Sequence, residues 1–212
     1  MTVSNRKHDS QQEGIVNEFV NRYLFKKIFK SSELITNRTL QLAGVDIQAD
    51  GKNYDLKAQS SSRYLNNPTN TFILEISFID RDGDRVDGWF IQDTMTDYYA
   101  FIWMPKVSVT NGSINEVDDI GEVEVLIVDK AMLRDGIKSL MGDTSFMDIE
   151  NELLDREAYD NEMKPAMYKH GIKFVLSNQL AEAPLCAVVT KDLLKRFATS
   201  HYLVTKEKVS EI

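Results

Sequence analysis

The sequence predicts an α+β protein in which a central mixed β-sheet is flanked by helices. Apolar residues recur at three- and four-residue spacing from 13 to 30, which is typical of an amphipathic helix. Apolar and polar residues then alternate in several segments between 42 and 104, which is typical of strands. Strand-like and helix-like segments are mixed from there to the end of the chain. This order favours helices packed on the faces of one sheet.

The individual elements follow from the same patterns. We expect strands at 42–49, 52–59, 71–79, 88–92, 98–104, 122–128, 171–177 and 185–189, and further helices at 130–141, 148–161 and 191–199. The first helix carries a basic face of Arg22, Lys26, Lys27 and Lys30, which we interpret as a solvated surface.

Length and composition indicate an ordinary globular chain. Its 212 residues are 42% hydrophobic and 27% charged, so we expect one domain over 13–212, preceded by a flexible polar arm over 1–12. No apolar run approaches the roughly 20 residues that cross a bilayer. We therefore expect a cytoplasmic protein with no membrane partner. The single cysteine, Cys186, excludes an internal disulfide and a thiolate metal cluster.

The net charge of −8 argues at first against a nucleic-acid partner, because Lys and Arg supply most non-specific binding to phosphates. The acidity is local, however. Segment 116–162 holds 15 acidic and 4 basic residues, and the rest of the chain has a net charge of +3. We expect this acidic segment either to bind a basic protein partner or to cover the site.

The stretch 44–59 predicts a hairpin that turns at Asp50-Gly51, a dipeptide favoured in two-residue turns. With this turn, the numbers of facing residues add up to 101, so Asp46 faces Asp55. Directly opposed residues have Cβ atoms about 4.5–5.5 Å apart and point to the same face. We therefore expect the two carboxylates to meet.

Two facing carboxylates repel each other unless a positive group lies between them. Mg²⁺ is commonly held by one or two carboxylates together with water and phosphate oxygens, and Mn²⁺ is an alternative. Lys57 lies on the same face as Asp55, where it could orient or deprotonate an attacking water and stabilise charge on a phosphate. These side chains together favour phosphodiester hydrolysis.

The same residues have a second interpretation, in which the polar face is exposed to solvent. Lys57 would then neutralise the aspartates in a surface ion pair that contributes about 0–1 kcal/mol. Against this, Thr, Lys or Gln would satisfy the strand pattern without placing two aspartates side by side.

The order of these residues resembles the PD-(D/E)XK nuclease superfamily, which has the restriction-endonuclease-like fold. The pattern is a helix bearing a glutamate, an aspartate near the end of a strand, a hairpin, and an acidic residue separated from a lysine by one apolar residue. The matching residues are Glu18, Asp46 and Asp55-Leu56-Lys57, and Val45 stands in place of the proline. The resemblance covers 13–80, about a third of the chain.

The resemblance implies roles for several residues. Asp46 and Asp55 would hold the metal, helped by the backbone carbonyl of Leu56, and Lys57 would be the catalytic lysine. Gln59 resembles a glutamine that some branches place two residues after that lysine. A homodimer is plausible because cutting both strands of a DNA duplex needs two sites.

Two glutamates are additional candidates. Glu75, on the predicted strand 71–79, would reach the metal if that strand neighbours the hairpin, and it would otherwise face solvent. Glu18, on the first helix, would either join the metal site or pair with Arg22 on the helix face.

The leading hypothesis is thus a Mg²⁺-dependent nuclease that hydrolyses phosphodiester bonds in DNA. The alternative is a non-catalytic binding or assembly protein that keeps the nuclease-like fold, such as a phage or mobile-element accessory factor. An unrelated α+β domain with a polar hairpin is the third possibility.

Overall fold

A computed structural model describes residues 6–110, 112–154, 170–177 and 180–212. The α-helices are α1 (Arg6–Val20), α2 (Lys26–Ile28), α3 (Arg38–Leu42), α4 (Lys130–Met141), α5 (Phe146–Leu154) and α6 (Lys191–Lys195), with a π-helical turn at Asn21–Phe25 and a 3-10 turn at Val117–Asp119. The strands are β1 (Ser32–Leu34), β2 (Ile47–Ala49), β3 (Lys52–Ala58), β4 (Thr71–Ile79), β5 (Arg85–Asp87), β6 (Tyr98–Val107), β7 (Ile120–Asp129), β8 (Ile172–Leu176), β9 (Leu185–Thr190), β10 (Ala198–Val204) and β11 (Val209–Glu211). The predicted α+β class is confirmed.

The chain forms two compact units. The first comprises Met1–Thr69, Met95–Lys130 and Ala198–Ile212, and the second comprises Asn70–Thr94 and Ala131–Phe197. This division is finer than the one domain over 13–212 that the sequence suggests.

A seven-stranded mixed sheet forms the first unit, in the order β1-β2-β3-β6-β7-β10-β11. The pair β3–β6 is parallel and the other neighbouring pairs are antiparallel. Phe19 and Phe25 of the N-terminal helical segment share a buried core with Tyr54, Leu56 and Ile102 of the sheet. Phe25 meets the ring of Tyr54 edge-on, with 4.9 Å between ring centroids. One face of β3 is therefore committed to the core under this helix.

The N-terminal helix begins earlier than the sequence predicts. It is helical from Arg6, so residues 6–12 of the predicted arm belong to α1, while residues 1–5 lie outside the described part. A tertiary contact accounts for the extra turns. The side chain of Gln12 is buried, and its Oε1 accepts the backbone N–H of Ile114 at 3.2 Å.

The hairpin β2–β3 has the predicted register. Its pairs are Ile47 with Tyr54, Gln48 with Asn53, and Ala49 with Lys52. The two turn residues, Asp50 and Gly51, have φ values of 46° and 78°, as a type I′ turn requires. The Asp50 carboxylate also accepts the backbone N–H of Ser31 at 2.9 Å. This contact fixes the turn to the chain that leaves the first helix.

The second unit contains a four-stranded antiparallel sheet in the order β5-β4-β9-β8. Strand β4 has the predicted bounds, and so does helix α4. The predicted strand 88–92 is wrong, because the Gly88 carbonyl accepts the backbone N–H groups of Ile91 and Gln92 and closes a turn. A Cβ at Gly88 would lie 2.5 Å from the Glu75 carbonyl oxygen, so this turn requires glycine.

The C-terminal part differs from the prediction. The helix predicted over 191–199 ends at Lys195, and the chain continues into β10 and β11, which the sequence reading missed. The acidic helix predicted over 148–161 is seen as α5, and the rest of that range lies outside the described residues. Among the described helices, none is both long enough and apolar enough to span a bilayer.

Candidate active site

The candidate site lies on β3 and at the start of β2, within the first unit. Tyr54 and Leu56 point to the core under the N-terminal helix. Because successive side chains of a strand point to opposite faces, Asp55 and Lys57 point the other way. In the parallel register with β6, Asp55 lies beside Tyr99 and Lys57 lies beside Phe101, and both aromatic residues are fully buried. The polar face of the hairpin is thus only partly exposed, with Asp55 buried and Lys57 reaching the solvent.

Asp46 lies just beyond the regular pairing of β2. Its backbone N–H donates to the Tyr54 carbonyl at 2.9 Å, although Tyr54 is paired with Ile47 in the ladder. The ladder therefore ends one residue before the predicted Asp46–Asp55 pair. Beyond the end of the ladder, the backbone N–H of Leu56 donates to a side chain and not to a backbone carbonyl. It donates to Oδ2 of Asp46 at 2.8 Å.

The structure still brings the carboxyl groups of Asp46 and Asp55 together, within hydrogen-bonding reach of each other. Burial and the charge of Asp55 raise the pKa of Asp46 to about 7, against the lowering effects of the Leu56 N–H and of Lys57. Asp55 itself is only 6% exposed. Without further positive charge, Asp46 therefore keeps its proton up to nearly neutral pH.

Lys57 supplies the positive charge nearest to this pair. Its Nζ lies 2.9 Å from Oδ1 of Asp55, and the side chain is 25% exposed. The lysine therefore reaches both the buried carboxylates and the solvent. This position suits a group that holds a water or a phosphate next to the carboxylates.

The donor set fits a hard divalent cation. Both carboxylates are largely buried, and once Asp46 loses its proton their combined negative charge exceeds the positive charge of Lys57. Residues of an extended strand present their N–H and C=O to the same neighbour, so the Leu56 carbonyl lies on the side where its N–H meets Asp46. Within the ranges that the structure describes, no three His, Cys, Asp or Glu side chains converge. Two carboxylates and a carbonyl, completed by water, are a typical Mg²⁺ donor set.

Gln59 has a role that its position in the sequence did not reveal. Its Nε2 donates to Oγ1 of Thr69 at 3.0 Å, and its Oε1 accepts the backbone N–H of Thr69 at 3.0 Å. The Thr69 carbonyl in turn accepts the indole N–H of Trp103 at 2.9 Å. Gln59 thus ties together the two ends of the loop 60–69. A supporting role toward Lys57 stays a prediction.

The two additional glutamates lie outside the hairpin and the strands paired with it. Glu18 is exposed on the first helix, which packs on the opposite face of β3. Glu75 lies on β4 in the second unit, opposite Cys186 of β9. The sheet neighbour of β3 is β6, so the arrangement under which Glu75 was expected to reach the metal does not form.

One residue that positions the site was missed from the sequence. Asp97, directly before β6, accepts the backbone N–H of Asn53 at 2.9 Å and lies 3.6 Å from the Lys52 ammonium. Its own N–H donates to the Asn53 carbonyl. These bonds hold the start of β3 against β6. Strands β3 and β6 are parallel, and their paired residues are 44 positions apart in the chain. Local sequence periodicity therefore gives no signal for this pairing.

Comparison of the chain with known protein families, with curated proteins and with solved structures found no match.

Proposed function

We propose that this protein is a divalent-metal-dependent nuclease that hydrolyses phosphodiester bonds in DNA. The observation that carries the proposal is the close approach of the Asp46 and Asp55 carboxyl groups, with Lys57 in an ion pair with Asp55. A buried carboxylate pair is electrostatically unfavourable in a folded protein. A cation-binding role explains why such a pair is kept beside a partly exposed lysine.

Each residue has a distinct task in the proposed reaction. A bound Mg²⁺ or Mn²⁺ would polarise the phosphoryl oxygen and stabilise its developing charge. Asp46, Asp55 and the Leu56 carbonyl would hold that ion. Lys57 orients the attacking water and donates a hydrogen bond to the phosphoryl group, where charge develops as the bond to the leaving oxygen breaks. The enclosing Tyr99 and Phe101 strengthen these electrostatic effects by excluding water.

A non-catalytic binding or assembly protein is the second candidate, favoured by the ion pair between Lys57 and Asp55. That pair partly neutralises the buried charge without any cation. The idea that segment 116–162 attracts a basic protein partner receives less support. Two of its acids bind basic side chains of this chain, since Asp118 pairs with Lys206 and Glu150 pairs with Arg85.

The location and assembly belong to the same proposal. We place the activity in the cytoplasm, where DNA is accessible, and we expect a homodimer if the substrate is cut on both strands.

The test is a cleavage assay on supercoiled and linear DNA with Mg²⁺, with Mn²⁺ and with EDTA. We expect metal-dependent cleavage by the wild type. Loss of one oxyanion-stabilising or water-positioning group typically lowers the rate about 10²–10³-fold, so Lys57→Met should fall in that range. Asp55→Asn should abolish metal-dependent cleavage. Asp118→Asn removes an exposed carboxylate that pairs with Lys206, and it is the control that leaves cleavage unchanged. Wild-type protein that neither cleaves DNA nor binds metal would favour the non-catalytic candidate.

A further inference from the structure

The loop 60–69 follows the site strand directly and presents one basic side chain. Ser61, Ser62 and Arg63 are exposed, and Tyr64 is partly buried beside them. The Arg63 guanidinium lies over the Tyr64 ring, 4.6 Å from its centroid. Among the described residues, Arg63 pairs with no carboxylate, and the hydroxyls of Ser61 and Ser62 make no hydrogen bond.

Both ends of this exposed turn are firmly anchored. On one side, Ser60 is buried and Gln59 binds Thr69. On the other side, Leu65 enters the core, and the Asn66 side chain accepts the backbone N–H of Val107 at 2.7 Å. The turn is therefore held in place before any ligand binds. Such preorganisation lowers the entropy that binding costs.

The stretch of sequence that contains the turn carries charge of one sign. From 56 to 74 the sequence contains Lys57 and Arg63 but no Asp or Glu, whereas the whole chain has a net charge of −8. An arginine fork with neighbouring hydroxyls is a typical set of donors for a phosphate group. The turn thus offers an exposed cationic side chain with hydroxyl donors beside it.

The distance to the site suits a second phosphate of the same strand. Arg63 is the sixth residue after Lys57, so their Cα atoms lie no more than about 20 Å apart. Phosphates follow one another at about 3.4 Å of helix rise per strand. Arg63 can therefore hold a phosphate within about six nucleotides of the scissile bond.

We propose that residues 61–64 form a DNA-backbone contact next to the Asp46–Asp55 site, in which Arg63, stacked on Tyr64, binds a phosphate beyond the one that is hydrolysed. The proposal rests on the proposed nuclease function, and it adds the surface that holds the substrate. Tyr64 positions Arg63 and is not itself a catalytic residue.

The test measures the affinity of the full chain for a fluorescently labelled DNA duplex of mixed sequence, with Ca²⁺ in place of Mg²⁺, over a range of salt concentrations. Arg63→Gln should weaken binding about tenfold and should reduce the slope of log affinity against log salt by about 1. Arg63→Lys should keep the slope, and Tyr64→Phe should bind like the wild type because the ring is kept.

The matched control is Arg81→Gln, which removes an exposed arginine from a turn that also holds Asp80, Asp82 and Asp84. It should change neither the affinity nor the slope. The proposal is overturned if Arg63→Gln binds like the wild type, if Arg81→Gln weakens binding equally, or if the wild type does not bind the duplex.

Failure of the nuclease function gives a different result. If binding depends on Arg63 but no metal supports cleavage, the nuclease function fails and the DNA contact stands. If the wild type cleaves DNA and Arg63→Gln leaves both KM and affinity unchanged, the contact alone is wrong.

Discussion

Asp46 lies next to Asp55, and burial together with the charge of Asp55 raises the pKa of Asp46 to about 7. In the unfolded chain the Asp46 carboxyl has its ordinary pKa of 3.8. Between these two values the folded protein binds more protons than the unfolded chain, so the free energy of unfolding falls as pH rises from about 4 to 7. The carboxylate pair therefore destabilises the metal-free protein above neutral pH.

Asp46→Asn should remove this penalty. The amide oxygen can still accept the Leu56 N–H, and the amide nitrogen can donate to Asp55. We expect the variant to be more stable than the wild type by about 2–4 kcal/mol at pH 8 and similar to it at pH 4. Urea unfolding in EDTA at the two pH values measures the difference. A variant that is less stable at pH 8 would show that Asp46 is not held as a raised-pKa acid.

Gln59→Leu should loosen the loop 60–69. Leucine has a side chain of similar volume but no hydrogen-bonding group. The Thr69 N–H, which donates to Gln59 Oε1 at 3.0 Å in the wild type, therefore loses its acceptor. We expect a loss of about 1–3 kcal/mol in the free energy of unfolding. Faster amide exchange at Thr69 is the local readout. Gln11→Leu, at an exposed position of α1, is the control that should change stability by less than about 0.5 kcal/mol. An unchanged Thr69 exchange rate would contradict the anchoring role.

Gly51→Ala tests the turn that sets the register of Asp46 and Asp55. A Cβ at Gly51 meets no atom within 4 Å, but its φ is +78°. The cost is therefore conformational, about 1–2 kcal/mol. Gly14 lies in α1, and a Cβ there would also meet no atom within 4 Å. Gly14→Ala should therefore raise the free energy of unfolding by up to about 1 kcal/mol, where Gly51→Ala lowers it. Thermal unfolding of the two variants checks both signs, and equal shifts would contradict this assignment of the turn.

Local chemistry explains which parts of the fold are predictable from the sequence. The Asp50-Gly51 turn fixes the pairing of Ile47 with Tyr54, and strict alternation gives the bounds of β4. Sheet membership is not local. The parallel partner of β3 is β6, and nothing in the period of β4 shows that it belongs to another sheet. Strand β10 was missed because its sequence directly follows a short helix, and its register with β7 shifts between Ala198 and Ser200.

In the candidate site, too, some features follow from local sequence and others depend on long-range contacts. The meeting of Asp46 with Asp55, and the position of Lys57, follow from the hairpin register and period-two geometry. The hydrogen bond from the Leu56 N–H to the Asp46 side chain does not follow from the register, because it depends on where the strand pairing ends. The binding of Gln59 to Thr69 depends on the path of a ten-residue loop, which side-chain periodicity does not describe.

The central claim is that Asp46 and Asp55 hold a divalent cation. Titration of the protein with Mn²⁺, followed by the electron paramagnetic resonance signal of the free ion, tests it most directly. We predict a saturable site in the wild type that is lost in Asp46→Asn and in Asp55→Asn and is retained in Lys57→Met. A wild type that leaves the free-ion signal unchanged, or an Asp55→Asn variant that binds Mn²⁺ as tightly, would contradict the claim.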